Sequence, residues 1–291
     1  MVNRITEKLI SEWLRTREPF SHKGDYGRAS LIAGSKGMMG AALLSACACM
    51  RSGVGLLTVH VPECGYSIMQ LGIPEAKCQT DKHSYHHTCI ELPARTEAVG
   101  IGPGLGMDKQ TGRAMHQMML QHPQTPMVFD ADALNLFAEH PEWLSELPKG
   151  SILTPHPGEM QRLALEPQEM AGKHHVVVVL KGHHTRIYVP KNQTVIVYEN
   201  TLHGNAGMAV GGSGDVLTGI ILSLMAQHYT AEEAAAIGVW IHALAADLAL
   251  ADGNSEESLL PSDIIAHLGA AFNASRLGLH PASFDAKQLN I

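Results

Sequence analysis

Four consecutive valines, Val176 to Val179, constrain this chain more than any other stretch. A strand with one face in water alternates apolar and polar residues, whereas this run leaves no polar face, so both sides must be covered. β-branched residues favour strands over helices, and the segment 173–182 reads as a strand. Strands covered on both faces belong to parallel sheets flanked by helices.

The rest of the chain repeats the pattern that such a sheet needs. Residues 28–34 read as a buried strand, followed by the turn GSKGMMG and an alanine-rich helix from Ala41 to about Arg51. Further strands are expected at 55–62, 97–104, 126–132 and 150–157, several with a helix behind them, one near 108–121. Residues 185–190 and 193–200 alternate and read as a short hairpin. From Gly212 onward the pattern is helical, with helices opening near Asp215, Ala231 and Ser262. A short amphipathic helix carrying Ile5, Leu9, Trp13 and Leu14 precedes the first strand. The expected fold class is α/β, with helices on both faces of a mostly parallel sheet. No Pro/Gly/Ser-rich linker divides the chain, so residues 1–291 read as a single domain. After Ser275 the periodicity fades, and the tail is expected to be loosely ordered.

Composition narrows the function. A chain that is 45% apolar and 17% charged buries a sizeable core. A net charge of -7 and a pI near 6.2 offer no basic surface to nucleic acid or an anionic membrane. The five cysteines, Cys47, Cys49, Cys64, Cys78 and Cys89, are odd in number and form no CxxC pair, as in a cytoplasmic protein with reduced thiols. The start lacks the apolar core of a signal peptide. His242 and Asp247 interrupt the long apolar run AAAIGVWIHALAADLALA, which therefore reads as a core helix and not a membrane span. The 18 histidines read as scattered surface and core groups.

Ligands of open α/β sheets sit at the carboxyl ends of the strands, where glycines let backbone N–H groups approach. The turn GSKGMMGAA (34–42) follows a strand and opens a helix, as an anion-binding turn should. GIGPGLG (100–106) ends another strand, but its spacing is not that of a dinucleotide fingerprint, and no Walker A loop is present. AVGGSGDVLTG (209–219) is the most informative segment. Three glycines within four residues can expose successive N–H groups as an anion nest at a helix start. Asp215 stands at that N-terminus, either as a simple cap or as a base for an attacking hydroxyl beside the nest, as phosphoryl transfer requires.

In this order the segments SHKGDYGRASLIAGSKGMMGAA, GIGPGLG, VFDADALN, LTPHPGE, VVLKGHHT and GNAGMAVGGSGDVLTG resemble the ADP/ATP-dependent NAD(P)H-hydrate dehydratases. These are metabolite-repair enzymes with a ribokinase-like, three-layer α/β/α fold. The resemblance runs from about Ser21 to Leu250, and TPHPGE together with GGSGD is its specific part. The family often carries an N-terminal epimerase domain. Only residues 1–20 precede the match, so that activity is expected on a separate chain.

The resemblance implies that ADP or ATP phosphorylates the hydroxyl of the hydrated nicotinamide ring of NADH or NADPH hydrate, and that phosphate is then lost. Asp215 would be the base, with Gly212, Ser213 and Gly214 as the anion hole. Lys181, Gly182, His183, His184 and Thr185 would line the nucleotide site, with Gly214 near its phosphate; Lys181 alone would otherwise read as a solvated strand end. Ala41, Gly104, His156, Asn135 and Asn205, with Asp215, would hold the hydrate. Gly104 suits close backbone approach, and Pro155 and Pro157 hold His156 in place. Asp130 and Asp132 end a strand at the same rim. Glu159 either organises Mg2+ through water or is a first-turn residue favoured by the helix dipole. Family members commonly carry a small residue where His203 stands in LHGNAGM, while Asn205 keeps its place. Relatives form tetramers, so a homo-oligomer is expected. The competing reading is an ATP-dependent kinase of a small alcohol, such as a hydroxyethylthiazole or sugar kinase, using the same fold and the same GGSGD chemistry; TPHPGE and GIGPGLG favour the dehydratase.

Overall fold

The computed structural model describes residues 2–277. Ten strands form one sheet: β1 (Val2–Arg4), β2 (Arg28–Ile32), β3 (Leu56–Val61), β4 (Lys77–Thr80), β5 (Ala98–Ile101), β6 (Met127–Phe129), β7 (Ile152–Leu153), β8 (Val177–Leu180), β9 (Arg186–Lys191) and β10 (Thr194–Glu199). Ten helices accompany them: α1 (Glu7–Trp13), α2 (Met39–Arg51), α3 (Tyr66–Gly72), α4 (Lys109–Gln121), α5 (Asp132–Glu139), α6 (Pro157–Arg162), α7 (Pro167–His174), α8 (Ser213–Ala226), α9 (Ala231–Ala251) and α10 (Pro261–Leu277).

The strand order is β1-β10-β9-β8-β7-β6-β5-β2-β3-β4. From β8 to β4 every pairing is parallel, and only the β8–β9–β10 meander is antiparallel. Winding proceeds outward from β2 through β3 to β4, then returns to β5 on the other side of β2 and continues to β8. The reversal lies between β2 and β5, where a doubly wound sheet opens its ligand crevice.

Alternate residues of each strand enter different cores, which is why the valine run has no polar face. Leu31, Val128, Ile152, Val177 and Val179 pack with α2, α8, α9 and α10. Ile32, Phe129, Leu153, Val176 and Val178 pack with α4, α5, α6 and α7. The arrangement is the three-layer α/β/α sandwich expected from the sequence. α9 has 21 residues and is apolar enough to cross a membrane, but 83% of its most apolar window is buried inside the molecule, in contact with α8 and α10.

Several expectations need correction. The strand over 173–182 is shorter, because Lys173 and His174 end α7 and His175 turns the chain through a left-handed conformation at φ 54°. The strand expected over 150–157 keeps ladder pairing only at Ile152 and Leu153, since Pro155 has no N–H to donate. β1, α3 and β4 were not foreseen; β1 adds an edge strand parallel to β10. The tail expected to be loose lies, from residue 278 onward, outside the described residues.

α8 lies against α2 because Gly219 has no side chain. A Cβ there would sit 2.1 Å from the Ser45 carbonyl oxygen and 2.9 Å from the Ala48 Cβ. Helix propensity alone would make Gly219→Ala stabilising by up to ~1 kcal/mol. The clash predicts the reverse, a loss of about 2 kcal/mol or more, measured as a fall in the urea midpoint at unchanged m-value.

Candidate active site

The carboxyl ends of β6, β7 and β8 and the first turn of α8 surround a cavity of about 650 Å³, within the range of small-molecule sites. Each wall follows from a local feature of the chain. At the end of β6, Ala131 adopts φ 48°, a conformation rare outside glycine. That twist separates two carboxylates. Asp130 turns toward β8 and α8, while Asp132 accepts from the Gly106 N–H at 2.8 Å.

Asp130 is almost fully buried and is satisfied at both oxygens. Lys181, just past β8, places its Nζ 2.6 Å from Oδ1, and Thr218 of α8 donates to Oδ2 at 2.7 Å. Lys181 also lies 3.8 Å from Glu159. Burial alone would lower the lysine pKa, but the Asp130 and Glu159 carboxylates outweigh it and hold it above the ordinary value. Lys181 is therefore a half-buried counter-ion at the cavity wall and not a solvated strand end. Gly214 makes room for it: a Cβ there would sit 3.2 Å from the Lys181 Nζ.

The segment GGSGD forms the start of α8. Gly212 is the N-cap, in the left-handed region at φ 99°, and Asp215 stands three residues further on, in the first turn, making no capping hydrogen bond. The capping account of Asp215 is thus excluded. The first-turn N–H groups of a helix have no intrahelical acceptor; here the Ser213 N–H is taken by the Val210 carbonyl at 3.3 Å, which leaves those of Gly214 and Asp215, residues that line the cavity. Burial pushes the Asp215 carboxyl up to about 7; Asp130, Asp132 and Glu159 push the same way and Lys181 opposes them. Ser45 of α2 donates to the Asp215 carbonyl at 2.9 Å and anchors the turn.

His156 caps α6. Its Nδ1 accepts from the N–H groups of Gly158 and Glu159, so the neutral ring carries its proton on Nε2, 3.4 Å from Glu159 Oε1. Glu159 closes the capping box by accepting from the His156 N–H at 2.8 Å. It is both a first-turn helix residue and a buried carboxylate facing Lys181.

The loop before the glycines is tied to α9 through Asp247. That carboxylate accepts from the Gly204 N–H and from Asn205 Nδ2 at 3.0 Å, and lies 3.1 Å from His203 Nδ1. His203 packs edge-on against Trp240. The larger side chain at this position is thus accommodated as part of the anchor.

Of the residues expected at the site, Lys181, Gly182, His183, Thr185, His156, Asn205, Gly212, Ser213, Gly214 and Asp215 line the one cavity. His184 does not; it is exposed and stacked on His183. Asn135 also stays outside, bonded to Arg162 and Asp132. Ala41 and Gly104 sit together at the β2/β5 reversal, where a Cβ on Gly104 would lie 3.1 Å from that of Ala41. His242 was missed as a site residue. It reaches the cavity from α9, 3.3 Å from Ser213 Oγ, and burial together with the Lys181 charge pushes it down to about 4. A histidine in an apolar helix was the available signal. Thr218 carried none.

A family model described as NAD(P)H-hydrate dehydratase matches residues 29–268. The bifunctional NAD(P)H-hydrate repair enzyme of Vibrio cholerae is 37% identical over 281 residues, covering 92% of this chain and 54% of the relative. The chain thus spans about half the length of that curated relative. Among solved structures, a ribokinase-like superfamily protein from Enterococcus faecalis aligns with a TM-score of 0.81 at 28% identity, covering 94% of this chain and 96% of its own. The ADP/ATP-dependent NAD(P)H-hydrate dehydratase of Bacillus subtilis, co-crystallised with ATP and Mg2+, aligns with a TM-score of 0.79 at 30% identity, covering 94% and 99%.

An aspartate with a raised folded-state pKa destabilises the fold when it ionises. The penalty is absent below the unfolded value near ~4, grows as pH rises and is complete above about 7. Asp215→Asn is therefore expected to melt at least ~2 °C above the unsubstituted chain at pH 8 and equally with it at pH 4. Equal gains at both pH values would assign the effect to something other than the charge.

Proposed function

The chain belongs to the NAD(P)H-hydrate dehydratase family, and on that premise we propose that it dehydrates (6S)-NAD(P)H hydrate to NAD(P)H at the expense of ADP or ATP. The observation that carries the reading is Asp215, a carboxylate poised near neutrality beside the first-turn N–H groups of α8. A base must be unprotonated yet able to accept a proton at working pH, and a pKa near 7 serves both needs.

In this reading the nucleotide occupies the cavity between the Lys181–Thr185 strand end and the 200–210 loop, and the hydrate enters from the Ala41–Gly104 side. Asp215 takes the proton of the ring hydroxyl as the hydroxyl oxygen attacks the terminal phosphoryl group, whose bond to the bridging oxygen breaks to release AMP from ADP or ADP from ATP. The N–H groups of Gly214 and Asp215 face the charge that develops on the phosphoryl oxygens. The ring nitrogen lone pair then expels phosphate, and loss of a ring proton restores the double bond. Lys181 holds Asp130 and sets the field at Asp215, and His156 stands at the rim as the cap of α6. The Glu159 carboxylate is the oxygen donor that would serve Mg2+, an ion that keeps several waters. Both Glu159 oxygens are engaged by His156, so Glu159 would hold the ion through water. Bound Mg2+ would neutralise phosphate charge. A homotetramer, a cytoplasmic location and an epimerase that supplies the reactive epimer complete the proposal.

The test is to incubate the chain with NADH hydrate, nucleotide and Mg2+. One inorganic phosphate and one reduced cofactor are expected per nucleotide consumed, with no accumulating phosphate ester. Asp215→Asn should lower turnover at least ~100-fold while nucleotide affinity stays within a factor of about two. The acid limb of kcat/KM should fall near pH 7, and Asp130→Asn, by removing a negative neighbour, should move it to lower pH. A stable phosphorylated alcohol, formed faster than NADH appears, would favour the kinase instead.

A further inference from the structure

Beside the β2/β5 crevice and outside the cavity, three buried groups converge: His60 on β3, Asp81 just after β4, and His87 further along the same segment. One ligand-capable atom of each lies within 4.8 Å of the others. The His60 and His87 rings stack with centroids 5.2 Å apart, and their Nδ1 atoms are 3.0 Å apart.

Two imidazole nitrogens this close need a proton or a metal ion between them. His87 does not supply the proton. Its Nε2 donates to the Gly34 carbonyl at 2.9 Å, so the neutral ring presents a lone pair at Nδ1. His60 has a second backbone partner at Cys89 that competes for its proton. Both rings lie in the interior, and the His87 Nδ1 lone pair is directed at His60. Neutral imidazole is the form that binds metal.

Asp81 is oriented by four hydrogen bonds. The His83 N–H and Thr88 hydroxyl donate to Oδ1, and the Thr88 and Cys89 N–H groups donate to Oδ2. Three of the donors are fixed backbone groups, whereas the Thr88 hydroxyl can rotate and free an Oδ1 lone pair.

We infer that His60, His87 and Asp81 form a Zn2+ site. Two imidazoles and one carboxylate are a zinc-type donor set, and two nitrogen ligands argue against Mg2+ or Ca2+. Tetrahedral zinc, with Zn–N of about 2.0–2.1 Å, places its nitrogens ~3.3 Å apart, so the rings need open by only ~0.3 Å. The Gly34 carbonyl on His87 is the outer partner that a zinc-bound histidine requires. The ion would pin segment 81–89 to β3. That segment in turn holds the glycine-rich turn, since the Lys36 N–H donates to the Tyr85 carbonyl at 3.0 Å and Gly34 receives His87. The role is structural support of the turn that leads into Ala41.

The test uses the whole chain, dialysed against EDTA and titrated with Zn2+ in competition with a chromophoric chelator, and separately with Co2+. One tight equivalent and the visible d–d bands of tetrahedral Co2+ are expected. His87→Gln should weaken Zn2+ binding at least ~100-fold, and the remote surface substitution His228→Gln should leave it unchanged. Zn2+ binding no tighter than that of the His60→Gln/His87→Gln double variant, or an octahedral Co2+ spectrum, would overturn the site and leave the pair sharing the His60 proton. If His87→Gln does not fold, the stoichiometry and Co2+ spectrum of the unsubstituted chain decide the matter alone.

Discussion

The 2.6 Å contact between Lys181 and Asp130 is the interaction on which the rest of the site depends. Two opposite charges taken out of water are stable only if their geometry is good and their remaining atoms are satisfied. Here Asp130 has its second oxygen on Thr218 and Lys181 has Glu159 within reach, so the ends of β6 and β8 are tied to α8 through one cluster. The same Asp130 charge, after burial, is what raises the neighbouring Asp215. Structure and reactivity therefore share one carboxylate.

That cluster can form only because α8 approaches closely on two sides. Gly219 admits the Ser45 carbonyl of α2, and Gly214 leaves room for the Lys181 ammonium. A third close approach lies at the sheet itself, where a Cβ on Gly102 would fall 1.8 Å from the Asp130 carbonyl oxygen. The helix that presents Asp215 is thus held by missing side chains as much as by those present.

The winding reversal at β2/β5 divides the region into two halves. On one side stand the Lys181 strand end and the 200–210 loop, anchored through Asp247 to α9. On the other stands Ala41 with the turn that His87 holds through Gly34, while Gly104 leaves β5 and meets Ala41 at the reversal itself. Asp215 is within electrostatic reach of both Asp130 and Asp132, the two carboxylates that the twist at Ala131 sends apart. A base so placed can serve a reaction between two ligands that approach from different strands.

The sequence by itself determined the layered α/β architecture, the glycine-rich turns at strand ends and the position of Asp215. These depend on local signals: the unbroken valines mark a strand covered on both sides, and GGSGD marks a helix start with exposed N–H groups. Chain neighbours alone did not reveal where α7 stops and the strand begins, because Lys173 and His174 suit either element. Nor did they reveal that Gly212, not Asp215, caps α8. The groups that set the chemistry are far apart in the chain: Asp130 and Lys181 by 51 residues, Asp130 and Thr218 by 88, Ser213 and His242 by 29, His60 and His87 by 27. Only the order of strands in the sheet and the packing of α8 and α9 bring them within hydrogen-bonding distance. Charge, burial and pKa depend on those distances through space, which is why the tertiary structure alone decided them.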